Sequence, residues 1–400
     1  MYCFRKVTDD LYWVGGSDRR LELFENIFPL PQGVSYNSYL LMDEKTVLFD
    51  AADHAIGRQF LENVSAVLNG RTLDYLVVNH MEPDHCAMIE DLVLRYPDMQ
   101  IIGNAKTFPM VSQFFGFDLE GKTITVKDGD TFTSGAHTLR FLLTPMVHWP
   151  ETMMTYDETD KVLFSADAFG TFGALNGNIF NDEMDFDREW LDEARRYYTN
   201  IVGKYGMQVQ NALKKAAGLD LSVICPLHGP IWRTDLDYFI GKYNLWSKYE
   251  PEEKGVMIAY ASMYGNTGNM AEILAVRLAE AGVKNIRMHN ISRTHVSELI
   301  SDSFKYSHLI LAAPTYNNGI YPLMDNYLED MKALGLSNRT VAVLGNGSWA
   351  PQSTKLISAK IGEMKNMRLM DTAVTIKSAV KDSQMEEIES LARQIAEEVL

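Results

Sequence analysis

Cysteine is scarce in this chain. Only Cys3, Cys86 and Cys225 occur in 400 residues, far apart in sequence. That excludes a disulfide framework, and without a Cys-x-x-Cys it excludes a four-cysteine iron site. No run approaches the ~18 apolar residues of a membrane span. The start, Met1-Tyr2-Cys3-Phe4-Arg5-Lys6, lacks the long apolar core of a secretion signal. Basic charge is short too: 37 Lys and Arg stand against 53 Asp and Glu, a net charge of −16. This argues against sequence-independent binding to nucleic acid or anionic membrane. Internal repeats and low-complexity tracts are absent. A cytoplasmic location is expected.

What is present reads as a globular enzyme of two domains. Hydrophobic residues make up 46% and aromatics 11%, ordinary for a soluble chain. Four hundred residues exceed one typical core. The best boundary is Tyr249-Glu250-Pro251-Glu252-Glu253-Lys254-Gly255, charged and holding both Pro and Gly. It predicts a first domain over 1–250, a linker over 251–255 and a second domain over 256–400. Ahead of the boundary, short apolar runs such as Tyr39-Leu40-Leu41-Met42, Val47-Leu48-Phe49 and Val162-Leu163-Phe164 recur between turns. Helical stretches are expected around 56–68 and 187–217. Many strands with sparse helices predict a sheet sandwich flanked by helices, an α+β arrangement. Beyond the boundary, strands at 256–261, 285–289, 309–313, 341–344 and 373–376 alternate with helices. That predicts a doubly wound, five-stranded parallel α/β sheet. Met270, Ile273, Leu274 and Leu278 form the apolar stripe of its first helix. Ser383-x-x-Glu386 reads as the capping box of its last.

The densest chemistry lies in Asn79-His80-Met81-Glu82-Pro83-Asp84-His85, directly after the apolar Leu76-Val77-Val78. Four potential metal ligands end a strand there. Positions 80, 82 and 84 would share one side of an extended segment. Three further candidates follow at later strand ends: His148, Asp167 and His228. Two metals need about six protein ligands including a bridging carboxylate, and this set supplies them. Mixed imidazole and carboxylate ligation suits redox-active iron better than zinc, which prefers N/S-rich sites. His54, His137, His289, His295 and His308 fall outside any ligand pattern and read as structural.

A second constellation lies in the second domain. Ser262-Met263-Tyr264-Gly265-Asn266-Thr267 follows its first strand and opens its first helix, a cradle for one phosphate. It is neither a dinucleotide glycine fingerprint nor a nucleoside triphosphate loop. Pro314-Thr315-Tyr316-Asn317 and Gly345-Asn346-Gly347-Ser348-Trp349 end the third and fourth strands. In a parallel sheet these loops converge at the carboxyl edge, where backbone N–H groups and an aromatic plane suit a flavin. Trp349 is the expected stacking residue.

His80-x-Glu82-x-Asp84, then His148, Asp167 and His228, with such a module behind them, resembles the flavodiiron proteins. These join a metallo-β-lactamase-like αββα sandwich to a flavodoxin-like domain. Zinc hydrolases of the sandwich fold usually carry His where this chain has Glu82. The resemblance spans nearly the whole chain. It implies FMN and two iron ions. His80, Glu82 and His148 would hold one iron, Asp84 and His228 the other, with Asp167 bridging; His85 would either join the second iron or swing away from it. It implies reduction of O2 to water, of NO to N2O, or both. O2 needs four electrons, and a diferrous site and a reduced flavin hold two each. A domain of about 250 residues is roughly 40 Å across, too far for a flavin at its distal edge to serve its own irons. A head-to-tail homodimer, or a dimer of such dimers, is therefore expected. With no module after Leu400, an external electron donor is expected, rubredoxin being the leading candidate. Tyr197 or Tyr198, on the helical stretch between the Asp167 and His228 strands, is expected to reach the metal pocket. Two rival readings remain: a dinuclear zinc hydrolase with a regulatory flavodoxin-like domain, and an electron shuttle on a catalytically dead sandwich. Glu82, the flavin loops and the full ligand set count against them. The choice between O2 and NO lies in residues behind the ligands.

Overall fold

A computed structural model of the chain describes residues 2–400. It divides into two compact units, 1–198 with 207–244, and 199–206 with 245–400. This differs from the single boundary expected at 251–255. The segment 199–206 belongs with the second unit, and the strand expected from 256 already starts in Glu253–Tyr260.

The first unit is a two-sheet sandwich. One seven-stranded sheet runs in the order Arg5–Lys6, Leu11–Trp13, Tyr39–Met42, Thr46–Phe49, Tyr75–Val77, Gln100–Asn104 and Thr123–Val126. Its first pairings are antiparallel, and from Thr46–Phe49 onwards they are parallel. Thr46–Phe49 is buried at every position, as a strand covered on both faces must be. A five-stranded sheet runs Thr131–Thr133, Thr138–Leu143, Met153–Asp157, Val162–Phe164 and Val223–Cys225. The sheets meet through Phe49 and Phe164, stacked with ring centroids 3.7 Å apart. The helix Gly57–Leu68 buries Phe60, Val64, Val67 and Leu68, spaced to lie on one face.

The helical stretch expected over 187–217 is broken. It becomes Phe186–Glu189, Leu191–Tyr197, a π-helical turn at Tyr198–Val202, a 3₁₀ turn at Gly203–Tyr205 and Gly206–Ala216. Gly203 and Gly206 carry the low helix propensity that permits the break. At Gly206 a Cβ would fall 2.4 Å from the Ser247 carbonyl oxygen, so the close approach requires glycine.

The second unit is a doubly wound sheet. Its parallel strands run in the order Ile286–Asn290, Glu253–Tyr260, Tyr306–Tyr316, Thr340–Asn346 and Val374–Ile376, and Arg368–Leu369 pairs alongside. A short antiparallel strand, Gly319–Ile320, doubles the end of the third. The order second, first, third, fourth, fifth reverses direction beside the first strand, which creates a crevice at the carboxyl edge. On one face Met270, Leu274 and Leu278 pack with Ile388, Leu391 and Ile395, and Ile273 sits half-buried against them. The final helix is Asp382–Val399. Its start differs from the Ser383 and Glu386 box: the Gln384 carboxamide oxygen accepts from the Lys381 N–H at 2.9 Å. Asp382 in the first turn suits the helix dipole.

Candidate metal centre and cofactor cleft

The cluster after Tyr75–Val77 is extended only as far as Glu82. Pro83 then starts a helical turn, Pro83–Cys86, because its fixed φ suits the first helical position. Positions 80, 82 and 84 therefore do not share one side as an extended segment would place them. His80 and Glu82 face one way, and Asp84 and His85 lie one helical step on. The remaining candidates arrive from the turn before Met153–Asp157, and from the ends of Val162–Phe164 and Val223–Cys225.

These seven side chains, all buried, gather into two adjoining sets. In the first, Asp167 Oδ2 lies 3.2 Å from His80 Nε2 and 3.1 Å from His148 Nε2. Glu82 Oε2 lies 3.4 and 3.0 Å from the same two nitrogens. In the second, Asp84 Oδ2 lies 3.4 Å from His85 Nε2 and 3.3 Å from His228 Nε2. Asp167 turns its other oxygen, Oδ1, to this set, 3.2 Å from His85 Nε2 and 3.7 Å from His228 Nε2. One carboxylate thus offers one oxygen to each set.

The donors fit a pair of cations. N and O ligands bind a first-row divalent ion at about 2.0–2.2 Å, which puts neighbouring donors about 2.8–3.1 Å apart in octahedral and about 3.3–3.6 Å apart in tetrahedral geometry. Most of the distances above fall between these limits. His80 Nε2, both Asp84 oxygens and both Asp167 oxygens are buried with no hydrogen-bond partner among the described residues. Three buried carboxylates so placed are costly without positive charge. The titration shifts have the same sense. Burial disfavours charge on His148, yet Asp167 and Glu82 outweigh it and push it up to about 9. His85 likewise rises to about 8 against burial, driven by Asp84 and Asp167. Burial would raise Glu82 and Asp167, but the surrounding imidazoles hold both below the usual carboxylate range.

Groups behind the ligands orient them. Glu151 Oε1 lies 2.8 Å from His80 Nδ1 and also accepts from the Met81 N–H at 2.9 Å. His228 Nδ1 lies 2.7 Å from the Ser35 carbonyl oxygen. Both contacts place a proton on Nδ1 and leave Nε2 as donor to the centre. The Asp50 carboxylate pins the strand end, accepting from the Asn79 and His80 N–H groups at 2.7 and 3.1 Å.

The second crevice, of ≈ 410 Å³, lies in the other unit. Of the expected cofactor residues, Ser262, Met263, Tyr264, Asn266, Thr267, Pro314, Thr315, Asn317, Asn346, Gly347, Ser348 and Trp349 line it. Gly265, Tyr316 and Gly345 do not. Gly265 caps the helix Asn266–Glu280 at φ +94, a conformation that favours glycine. Gly345 lies within the strand Thr340–Asn346, and the Tyr316 ring turns to Tyr321. Asn318 and Ala350, from the same two loops, and Ser378, from outside them, complete the lining. Asn346 ties the loops together, donating to the Ser378 carbonyl at 2.9 Å and accepting from its N–H at 3.0 Å. Tyr264 and Trp349 stand 90% and 88% exposed on the rim. Free N–H groups at a long helix's start and two unpacked aromatic planes suit a phosphate and a flat ring.

Residues 34–229 match the family model of the ODP family beta lactamase, and residues 258–391 match that of flavodoxin. A relative named anaerobic nitric oxide reductase flavorubredoxin, from Aeromonas hydrophila, is 32% identical over 94% of this chain and 74% of its own length. The chain belongs to the flavodiiron proteins. An uncharacterized protein of Methanocaldococcus jannaschii is 29% identical over 98% of both chains. The solved rubredoxin oxygen:oxidoreductase of Desulfovibrio gigas superposes with TM-score 0.91 at 29% identity, over 99% of this chain and 98% of that one. The flavodiiron protein of Giardia intestinalis does so with TM-score 0.93 at 25% identity, over 99% and 96%.

In this flavodiiron chain the two tyrosines part company. The Tyr197 ring lies 5.4 Å from the His228 ring, and its buried hydroxyl has no hydrogen-bond partner among the described residues. The Tyr198 ring instead lies 4.9 Å from Tyr243. Sequence reasoning missed Glu151, although it stands three residues after His148. It also missed the hairpin of Leu23–Phe24 and Phe28–Pro29. There Phe24 lies edge-on to His228 at 5.6 Å. At its tip, Glu25 is exposed as a residue, yet desolvation of its carboxyl and the charge of Glu82 push it up to about 7. A Phe-Glu-Asn turn in sequence carries no ligand signature, so nothing there pointed to the centre. Among the described residues no helix is long and apolar enough to cross a membrane.

Proposed function

We propose that this flavodiiron protein is an oxidoreductase that reduces O2 to water, NO to N2O, or both. The observation that carries this reading is Asp167, whose two oxygens serve two buried donor sets. His80, Glu82 and His148 would hold one iron, Asp84, His85 and His228 the other, and Asp167 both. The loops at 262–267, 314–318 and 346–350 would hold FMN. When bound, the irons supply redox centres open to a small oxidant, and FMN supplies a two-electron store.

The chain's own residues set the conditions. Glu151 keeps the proton of His80 on Nδ1, and the Ser35 carbonyl does the same for His228. Phe24 and Trp149 set their rings against His228 and His80, Phe172 packs behind Phe24, and these rings would limit water. The Tyr197 hydroxyl is placed to donate a hydrogen bond to a molecule entering beside His228. Electrons would come from an external donor such as rubredoxin. Two chains would pair head to tail, the flavin of one against the irons of the other. We propose the diiron domain within residues 1–250 and the flavin domain over 256–400, with the short segments 199–206 and 245–255 counted with the second unit. A cytoplasmic setting accords with three free cysteines. Membership of the flavodiiron proteins favours this reading over a zinc hydrolase. The test is anaerobic reduction of the purified protein followed by O2 or NO under an electrode. Consumption of either gas, with O2 yielding water rather than peroxide, supports the reading. Inertness to both gases in protein carrying full iron and FMN contradicts it.

A further inference from the structure

Two ligand loops of the first unit share an apolar cavity on their inner side. Val147 and Ala168, which flank the ligands His148 and Asp167 in sequence, form its wall with Met154. Val209, Ala212 and Leu213, from the helix Gly206–Ala216, close it. The space is small, ≈ 10 Å³ for the centre of a water-sized sphere, about enough for one small molecule. Its lining presents no polar surface; Tyr243 lines it, and the hydroxyl of that residue accepts from the Phe169 N–H at 2.7 Å. A water needs two to four polar partners, and apolar cavities stay dry yet take up apolar atoms and molecules.

This cavity is not isolated. Phe169, Leu213 and Ala216 line it and also line a surface groove of ≈ 650 Å³. That groove continues outwards over half-buried Leu219, Leu221 and Ile240, with Asp235, Asp237 and Tyr238 also in its lining. Phe169 stands at the junction with φ +66, a conformation rare for a bulky residue. With Leu213 and Ala216, an aromatic residue thus belongs to the wall that groove and cavity share.

We propose that the groove and the cavity are the entry and the holding site for a small apolar gas, O2 or NO, behind the His148 and Asp167 loops. The choice of gas rests on the reductase reading above. The apolar cavity would take up gas from the groove while leaving water and ions in the groove outside.

Crystals of the full chain under xenon pressure test the site without any turnover. Xenon density between Val147, Ala168 and Phe169 is the expected result. Separately, Ala216→Phe at the groove mouth should raise the KM for gas several-fold, with kcat at saturating gas, iron content and FMN content unchanged. Leu213→Trp should shift KM in the same direction, guarding against a misfolded first variant. Xenon absent from the cavity while bound elsewhere would overturn the proposal. So would wild-type KM in both variants. A wild type that consumes neither gas sinks the reductase reading instead, and the xenon map alone then decides the cavity.

Discussion

Glu151 offers the sharpest perturbation, because it touches the centre only through His80. Burial would raise its carboxyl, but the contact to His80 holds it below the usual range. Glu151→Gln keeps an acceptor for both the His80 Nδ1 proton and the Met81 N–H and removes only the charge. Loss of such a carboxylate behind a metal-bound histidine costs about 10–100-fold in metal affinity, or about 1.4–2.8 kcal/mol. Glu151→Ala removes the acceptor as well. It leaves two buried donors unpaired, at about 1–3 kcal/mol each, and should lower the thermal midpoint as well as iron affinity. The assay is anaerobic competition for ferrous iron against a chelator of known affinity, with FMN content as control. Wild-type iron affinity in Glu151→Gln would refute the argument that this carboxylate tunes His80.

Three further outcomes are expected. Trp349→Ala should weaken FMN binding by about 0.5–1.5 kcal/mol beyond lost area and leave iron in place; unchanged flavin affinity in titration would put Trp349 outside the site. Tyr197→Phe should slow gas turnover or release peroxide at full iron content, whereas Tyr198→Phe should not; wild-type turnover without peroxide in Tyr197→Phe would leave Tyr197 a packing residue. His137 bridges Asp157 at 2.7 Å and Asp10 at 3.0 Å, and although burial opposes its charge these contacts raise its pKa. Its stabilisation is full below the unfolded value of about 6.5 and is lost as pH rises through the raised folded value. The thermal midpoint should fall with pH across that window in the wild type and less in His137→Gln; equal slopes would refute the bridge.

The candidate ligands were legible because metal chemistry constrains residue type and strand ends constrain position. His80, Glu82, Asp84, His85, His148, Asp167 and His228 each follow an apolar run, and the fold brings all of them together. The path between them was less legible. The helical turn at Pro83 separates the first cluster into two sets, and that depends on φ preferences within four residues. Glu151 and Ser35 act across long sequence separations, Ser35 through its carbonyl, so residue type says nothing of that role. The breaks at Tyr198 and Gly203 come from packing that overrides a continuous helical pattern. In the second unit alternation implied parallel pairing, since parallel strands need crossovers, whereas the strand order emerged only from the fold. Ser378 entered the cleft only through its exchange of hydrogen bonds with Asn346.

The central claim is that two buried donor sets share Asp167 to hold two irons in a chain that also carries FMN. Metal analysis and flavin extraction on one purified sample measure it directly. Two irons and one FMN per chain, with iron lost and FMN retained in Asp167→Ala, is the predicted result. Zinc in place of iron, or full iron in Asp167→Ala, would contradict it.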